Sequence, residues 1–462
     1  MTVDQSPWGY QWRSSQSFII TTATISLFSE TFLFGFVVPI LPYMLETRLH
    51  VDPSRTQTFT TTLLTLYGIV SLVSSPFIAH FADKTPSRKT PLLLSLSACA
   101  FGTLLVACAP TVWVLIVGQF LQSLASASVW IVSFATMVDN VSGENKGKVV
   151  GTSMSIVSTG IFAGPMVSGT LLQLLGYWPA WSAALLLLAV DFFARLIMID
   201  TRSGLLSAAE SETETGRDEQ TRLLGDSTDE QETPAPQVAR ARGFYRIMLS
   251  NPQILVSLFN TLVLSITFSA FDTTLPLRVR DVFSWGSLPV GIIFLGLQAP
   301  SIIFGPPIGW LRDRVGLRWP TTTGWALLVP FLWLLAVPGE DLPWGRIEHG
   351  KVVYGAAIVG LGFAFALTRG AGQFQMMAVV HDLESADPNI FGPYGGNSRL
   401  SALTELPFTV GMVLGPLVSG TLSELIGYYY MNCVLAGISF VVGVASFVYL
   451  TAVPKGEGTG TV

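Results

Sequence analysis

The sequence predicts an all-α integral membrane protein whose twelve membrane-spanning helices form two six-helix pseudo-repeats. Three observations predict this fold class. Half of the 462 residues are hydrophobic and only 12% are charged, whereas about a quarter of the residues in a soluble protein carry charge. Apolar stretches long enough to cross a bilayer recur along the chain. Short patterns of the first half also return at matching places in the second half.

The membrane helices are predicted from the apolar stretches, six in each half of the chain. They lie near 17–41, 58–82, 91–109, 112–139, 148–174, 180–199, 252–276, 288–310, 320–338, 351–380, 399–423 and 430–452. We therefore expect these domains in order: an N-terminal tail 1–16, a bundle 17–199, a linker 200–249, a second bundle 250–452 and a C-terminal tail 453–462. The linker is acidic and rich in Ser, Thr and Pro, which predicts disorder.

The charges in the short loops predict the orientation. Lys and Arg are more frequent in the loops on the side of the N-terminus, which places both termini and the linker in the cytoplasm. The plasma membrane is the expected location. A vacuolar or endosomal membrane is the alternative, because residues 219–224 of the linker have the form of an acidic dileucine sorting signal.

The two halves share three patterns. Helix five contains Gly-Pro-X-Val-Ser-Gly-Thr-Leu at 164–171, and helix eleven contains the same pattern at 415–422. An Asp with nearby arginines or lysines follows both helix two and helix eight, at Asp83 and Asp313. Helix one carries Glu30 ahead of a proline, and helix seven carries Asp272 ahead of another. These coincidences predict a duplicated six-helix unit.

Glu30 lies inside an apolar run long enough to cross a bilayer. A charged residue at the centre of a membrane helix costs roughly 2.5–3.5 kcal/mol, so this side chain must take a proton or face a wet, protein-lined cavity. Either outcome suits a transporter. By contrast, Asp191 and Arg195 stand four residues apart on helix six, and we expect them to satisfy each other in a structural role.

The loop motif Gly309-x-Leu-x-Asp-Arg-x-Gly-x-Arg318 resembles the cytoplasmic loop motif of the major facilitator superfamily, and the copy after helix two is degraded. The helix-five pattern resembles the motif of the superfamily's drug:proton antiporters. The resemblance spans roughly residues 17–452 and implies alternating access with these loops and glycines as gating elements. The implied gating residues are Asp83, Arg88, Gly309, Asp313, Arg314, Gly316, Arg318, Gly164, Pro165, Gly169, Gly415 and Pro416.

Three intramembrane acids are similar in position to those of the vesicular amine and acetylcholine transporters. They are Glu30 on helix one, Asp272 on helix seven and Glu405 on helix eleven. This resemblance implies a proton-coupling or substrate-binding role for them, and Arg369 is expected to pair with Glu405 or Asp272. The chain departs from that branch in having Tyr67 and Gln119 at two cationic positions, so a different ion-pair arrangement is expected. Polar and aromatic cavity candidates are Tyr67, Gln119, Trp130, Asn260, Phe271 and Gln373.

The expected function is proton-coupled secondary transport, by an antiporter that exports drugs, toxins or secondary metabolites. A vacuolar or vesicular amine:proton antiporter and a proton-coupled uptake symporter are the alternatives. The sequence has no HExxH motif, nucleophile elbow or phosphate-binding loop, so an enzyme, a metal site and an organic cofactor are not expected. The expected partners are protons, a small organic substrate and the bilayer; nucleic acid is not expected, and the protein is expected to be a monomer.

Overall fold

The computed structural model describes residues 9–84, 89–140, 146–199, 246–340, 347–386 and 397–450. Within these ranges the regular structure is helical throughout. The helices are α1 Tyr10–Arg13, α2 Gln16–Tyr43 with a π-helical continuation Met44–Arg48, α3 Pro53–Lys84, α4 Lys89–Ala107, α5 Val112–Asp139, α6 Lys146–Leu174, α7 Tyr177–Ile197, α8 Pro252–Phe283, α9 Ser287–Val315, α10 Arg318–Ala336, α11 Ile347–Thr368, α12 Ala371–Ala386 and α13 Asn397–Tyr449.

Among the described residues, ten helical stretches are long and apolar enough to cross a membrane. The all-α membrane fold predicted from the sequence is confirmed, while the count of twelve helices stays a prediction. One difference from the predicted spans has a backbone cause. The predicted span 351–380 is two helices, because Gly370 with a φ of 77° ends α11. The last two predicted spans, 399–423 and 430–452, both lie in α13, which is two helices that meet at a kink at Gly427, where φ is 86° and ψ is 161°.

The residues that precede α8 and α3 cap the first turns of these helices. Asn251 begins α8 by accepting a hydrogen bond from the amide of Gln253 at 2.9 Å, and Pro252 needs no partner at the first helical position. Asp52 precedes α3 in the same way. The hydroxyl and the amide of Ser54 both donate to its carboxylate and hold the pKa of Asp52 below its usual value.

The chain forms two compact units. Unit 1 comprises residues 1–34, 70–161 and 181–235, and unit 2 comprises 35–69, 162–180 and 236–462. Unit 2 therefore joins the second sequence half to parts of α2, α3, α6 and α7. The predicted division into tail, bundle, linker, bundle and tail stays a prediction, and residues 200–245 of the linker, with its candidate sorting signal, lie outside the described residues.

In unit 1, α4 and α5 pack closely because Gly102 has no side chain. A Cβ at Gly102 would lie 2.8 Å from the amide nitrogen of Gln122. The C-terminal end of α7 is held by two basic residues. Lys89 donates to the carbonyls of Leu196 and Met198, both at 2.7 Å, and Arg13 donates to the carbonyl of Ile197, also at 2.7 Å. Cations at this end favour the helix dipole.

In unit 2, the core lies between α8, α9, α10, α11 and α13 and contains Phe271, Trp325 and Tyr354, all fully buried. Helix α13 approaches α8 at two glycines. A Cβ at Gly411 or at Gly415 would lie 2.8 Å from a carbonyl oxygen of α8. The absence of side chains at these positions lets the two backbones meet, as is typical of membrane helix pairs.

Candidate functional site

Glu30 is buried in unit 1, on α2, and its carboxylate contacts two other helices. The hydroxyl of Ser126 on α5 donates to Oε2, and the thiol of Cys99 on α4 lies 3.7 Å from Oε1. Both donors are neutral. No described Lys or Arg lies within ion-pair distance of this carboxylate, so its own contacts give its charge little compensation.

One helical turn before Glu30, Ser26 binds a second set of ionisable side chains. Its hydroxyl donates to Oδ1 of Asp191 at 2.5 Å and accepts from Nε and Nη2 of Arg195, both at 3.3 Å. Arg195 also donates to the hydroxyl of Ser133 on α5 at 3.1 Å. Asp191 and Arg195 are fully buried. The expectation that these two satisfy each other in a structural role stays a prediction, and the structure adds that Ser26 links both of them to α2.

Asp272 is buried in unit 2, on α8, and its Oδ2 has no hydrogen-bond partner among the described residues. Pro276 follows four residues later and has no amide hydrogen, so the main-chain carbonyl of Asp272 also lacks its helical donor. Two acceptors without ordinary donors therefore occur at one residue. Such a position suits a proton or a cationic group.

Arg369 and Glu405 are not brought together as predicted. Arg369 is half-buried, and its guanidinium lies 5.8 Å from the ring centroid of Phe162 and 5.9 Å from that of Phe268. No carboxylate of the described residues lies within ion-pair distance of it. Glu405 is exposed. The predicted pairing of Arg369 with Glu405 or Asp272 is therefore wrong for this structure, in which the described neighbours of the guanidinium are two aromatic rings.

The six predicted cavity residues fall into different environments. Asn260 is buried and receives a hydrogen bond from Nε1 of Trp325 at 2.6 Å, so its amide belongs to the packing of α8, α10 and α13. Phe271 is fully buried in the core of unit 2, and Gln119 is buried on α5. The remaining three are Tyr67 and Trp130, which are half-buried, and Gln373, which is exposed.

The loop motif after α9 is partly described. Gly316 ends α9 with a φ of 79°, a conformation that favours glycine. The guanidinium of Arg314 lies 4.1 Å from the ring of Trp310, and that of Arg318 lies 4.1 Å from the ring of Phe447. Both arginines thus have aromatic partners beside any partner in the loop.

The structure describes only some of the other predicted gating residues. Gly309 is half-buried within α9. Arg88 and the side chains of Asp83 and Asp313 lie outside the described residues. The predicted helix clamp formed by these charges therefore stays a prediction.

The Gly-Pro segments lie at close helix contacts in unit 2. A Cβ at Gly169 would overlap the carbonyl oxygen of Ser287, and one at Gly291 would be 2.7 Å from that of Pro165. The hydroxyl of Ser287 donates to the carbonyl of Gly169 at 3.1 Å. Gly164 and Pro165 are buried in this contact region of α6. In the second half, Gly415 and Pro416 lie on α13, where the glycine faces α8.

Sequence reasoning missed the neighbours of Glu30. Ser126 and Cys99 come from helices far along the chain, and small hydroxyl or thiol residues in apolar helices are usually packing residues. One signal was available: Ser26 precedes Glu30 by four residues and shares its helix face. This spacing could not show that Ser26 would contact α7.

Comparison with known proteins decides the family. The family model of the Major Facilitator Superfamily matches residues 23–386. The chain belongs to this superfamily. It is 30% identical over 421 residues to an uncharacterized MFS-type transporter of Schizosaccharomyces pombe, covering 89% of this chain and 91% of that protein. It is also 29% identical over 164 residues to a class H tetracycline resistance protein of Pasteurella multocida, covering 34% and 40% of the two chains.

Solved structures agree with this fold. The crystal structure of the nucleoside transporter NupG superposes with a TM-score of 0.62 at 14% identity, covering 93% of this chain and 98% of that chain. Membership makes the protein a multi-pass membrane transporter of a small molecule. Within the described ranges, His, Cys, Asp and Glu form no group of three or more that could hold a metal ion.

Proposed function

We propose that this superfamily member is a proton-coupled antiporter that exports small organic molecules, such as drugs, toxins or secondary metabolites, by alternating access. The proton gradient supplies the energy, with no cofactor. Glu30 is the proton-coupling residue in this proposal, and Asp272 provides a second acidic site. The plasma membrane is the proposed location, with both termini in the cytoplasm.

The observation that carries the proposal is the environment of Glu30. A buried carboxylate whose contacts are a hydroxyl and a thiol gains stability by binding a proton, because neutral donors compensate a buried charge poorly. The same side chain can release that proton when water reaches it from the other side of the membrane. Exchange of this kind is what coupling to a proton gradient requires.

Two further observations support the proposal. Asp272 combines a buried carboxylate oxygen lacking a described partner with a main-chain carbonyl that Pro276 leaves without a donor. Part of the chain is similar to a tetracycline resistance protein, which makes drug-like organic compounds a reasonable first substrate class. Arg369, which lies within 6 Å of two phenylalanine rings, is a candidate to contact an electron-rich part of such a compound.

Liposomes that contain the purified protein and an acidic lumen test this proposal. We expect tetracycline, an amphiphilic cation or a neutral polyketide-like compound to accumulate in the lumen while protons leave it. Glu30→Gln should reduce both fluxes to the level of empty liposomes, and Glu30→Asp should retain part of them. Radiolabel uptake and a pH-sensitive dye in the lumen measure the two fluxes.

Ser97→Ala is the matched control, because this exposed hydroxyl on α4 bonds within its own helix at the carbonyl of Leu93. Its fluxes should equal those of the unaltered protein. Substrate and protons moving in the same direction would refute antiport and favour an uptake symporter. Unchanged proton flux in Glu30→Gln would remove Glu30 from the coupling step.

A further inference from the structure

Arg369 carries a permanent positive charge at the break between α11 and α12, because an arginine stays protonated in proteins. Its guanidinium lies 5.8 Å from the ring centroid of Phe162 on α6 and 5.9 Å from that of Phe268 on α8, and all three residues belong to unit 2. Among the described residues, no ion pair and no side-chain hydrogen bond involves this guanidinium.

Another arginine of unit 2 shows the partners that such a charge finds elsewhere in the chain. The guanidinium of Arg278 lies 4.9 Å from the ring centroid of Tyr428, so it too has an aromatic neighbour. It also donates to the carbonyl of Pro338 at 2.7 Å and pairs with Glu340 at 3.5 Å. Aromatic rings compensate a cation less well than a carboxylate or a carbonyl does. Arg369 therefore lacks, within the described ranges, the stronger partners that Arg278 has.

The carbonyls at the end of α11 are occupied by other donors. Arg312 of α9 donates to the carbonyl of Leu367 at 2.8 Å and to that of Ala366 at 3.4 Å. The main-chain amide of Arg369 donates to the carbonyl of Phe365 at 2.8 Å. The negative end of α11 thus already has a cation, and the end of α12 that follows is its positive N-terminus. These charges favour an anion as the missing neighbour of Arg369.

The acids predicted to pair with Arg369 do not provide this anion. Asp272 lies one turn after Phe268 on α8, yet its carboxylate is outside ion-pair distance of the guanidinium, and so is that of exposed Glu405. The guanidinium remains accessible. Arg369 is half-buried, and it contributes none of the fully buried, unpartnered nitrogens found in the described part of the chain. An anion from outside the chain can therefore reach it.

We propose that Arg369 binds an ionised acidic group of the transported molecule, so that the substrate is an organic acid or a zwitterion with a flat apolar body. The guanidinium donates to both oxygens of a carboxylate, a geometry that suits its planar fork. The rings of Phe162 and Phe268 contact the apolar body. The inference rests on the proposed function as an exporter of small organic molecules, and it names the chemical class of the substrate.

Isothermal titration calorimetry of the full-length protein in phosphatidylcholine nanodiscs tests this inference without a gradient. The probes are naphthoate, which is ionised at neutral pH, and naphthamide, which has the same ring and no charge. Because hydrogen bonds to charged groups are the stronger ones, we expect naphthoate to bind about ten-fold more tightly. Arg369→Gln should remove this preference by weakening the binding of naphthoate, while the Kd of naphthamide stays unchanged.

Two further variants complete the comparison. Arg369→Lys keeps the charge and loses the planar fork, so it should retain a smaller preference for naphthoate. Arg55→Gln removes the same charge from an exposed position on α3 and should leave both Kd values unchanged. An unchanged Kd for naphthamide shows that Arg369→Gln is folded. If that variant does not fold, Arg369→Lys still decides, because an undiminished preference in it contradicts binding by the guanidinium fork.

Equal Kd values for the two probes, no binding of naphthoate, or a preference that persists in Arg369→Gln would overturn the inference. A lipid phosphate shares the chemistry of a carboxylate, so the titration is repeated with phosphatidylglycerol in the nanodiscs, at high salt to screen the membrane surface. Loss of naphthoate binding there would assign Arg369 to a lipid headgroup and overturn the substrate class. Glu30→Gln should keep the preference. The expected preference combined with absent proton-coupled flux in liposomes would refute the proposed antiport alone.

Discussion

At the scale of single residues, one buried amide shows how packing can account for a polar side chain in a membrane helix. Asn260 accepts hydrogen bonds at Oδ1 from Nε1 of Trp325 at 2.6 Å and from the hydroxyl of Ser446 at 3.2 Å. Its Nδ2 donates to the carbonyl of Val256 at 2.8 Å. The amide is fully used in joining α8, α10 and α13.

Replacing Asn260 by Ala should therefore reduce stability more than it affects transport. The indole N–H of Trp325 would lose its partner in a buried site, which costs about 1–3 kcal/mol. We expect the free energy of unfolding to fall by about that amount in an SDS titration of mixed micelles. Asn260→Asp is the informative companion, because it keeps the acceptor for the indole and should lose less stability than Asn260→Ala.

A matched substitution at exposed Ser97 should change the unfolding free energy by less than about 0.5 kcal/mol. Equal stability of Asn260→Ala and Ser97→Ala would show that the Asn260 network contributes nothing. A large rise in the KM for substrate with unchanged stability would return Asn260 to the cavity position that its sequence context predicts.

Contacts between individual side chains are also the part of the structure that the sequence did not predict. Glu30 and Asp272 could be singled out because an acid in a long apolar run is energetically costly whatever surrounds it. The partners of Glu30 and Ser26 could not, because Ser126, Cys99 and the α7 pair lie 69 or more residues away in the chain. Sequence spacing within one helix carries no information about which face of another helix it meets.

At the scale of helices, glycines decide how closely neighbours approach. On α13, a Cβ at Gly415 would lie 2.7 Å from Cβ of Ser269 and 2.8 Å from the carbonyl oxygen of Ile266, both on α8. Gly437, on the same element, would place a new Cβ in open space. Both positions are helical glycines, so the comparison isolates the effect of their surroundings.

We expect Gly415→Ala to destabilise the protein by about 1–3 kcal/mol, since the added methyl group forces α8 and α13 apart. Gly437→Ala should be neutral or stabilise by up to about 1 kcal/mol, because alanine is the better helix former. Thermal unfolding in detergent, followed by circular dichroism, measures both. A Gly415→Ala variant as stable as Gly437→Ala would show that α8 and α13 can separate without loss.

Helices were predicted well where apolar length alone defines them and poorly where the backbone interrupts an apolar run. The long stretches that became α2, α5 and α8 correspond to predicted spans. The interruption at Gly370 follows Arg369 within a stretch, Gly350–Leu383, whose mean hydropathy is still high enough for a membrane span, so average hydropathy did not show it. Glycine occurs frequently in this chain, and only the backbone conformation distinguishes a helix end from a packing site.

At the scale of the whole molecule, polar contacts in unit 2 join residues of the first sequence half to the second. Glu46, at the end of α2, pairs with Arg280 near the end of α8 and accepts a hydrogen bond from Thr56 of α3 at 2.7 Å. Thr58 donates to Glu424 of α13 at 2.6 Å. Under the proposed alternating access, contacts of this kind break when this end opens.

Glu46→Gln should therefore favour opening at this end of unit 2. A partly exposed ion pair contributes about 0.2–1 kcal/mol, and loss of the upper part of that range raises the open population up to about five-fold. Thr60, buried one turn after Thr56, is a suitable reporter. A membrane-impermeant maleimide should label Thr60→Cys faster by that factor when Glu46→Gln is also present.

The charge-exchanged variant Glu46→Arg/Arg280→Glu tests whether attraction between these two side chains restrains opening. It should return the labelling rate of Thr60→Cys toward that of the single reporter, because the pair keeps opposite charges across the same contact. Thr58→Ala removes a contact between two exposed side chains and should change the rate less than Glu46→Gln does. An unchanged rate in Glu46→Gln would mean that apolar packing and the glycine contacts of α6 and α9 hold this end closed without help from the ion pair.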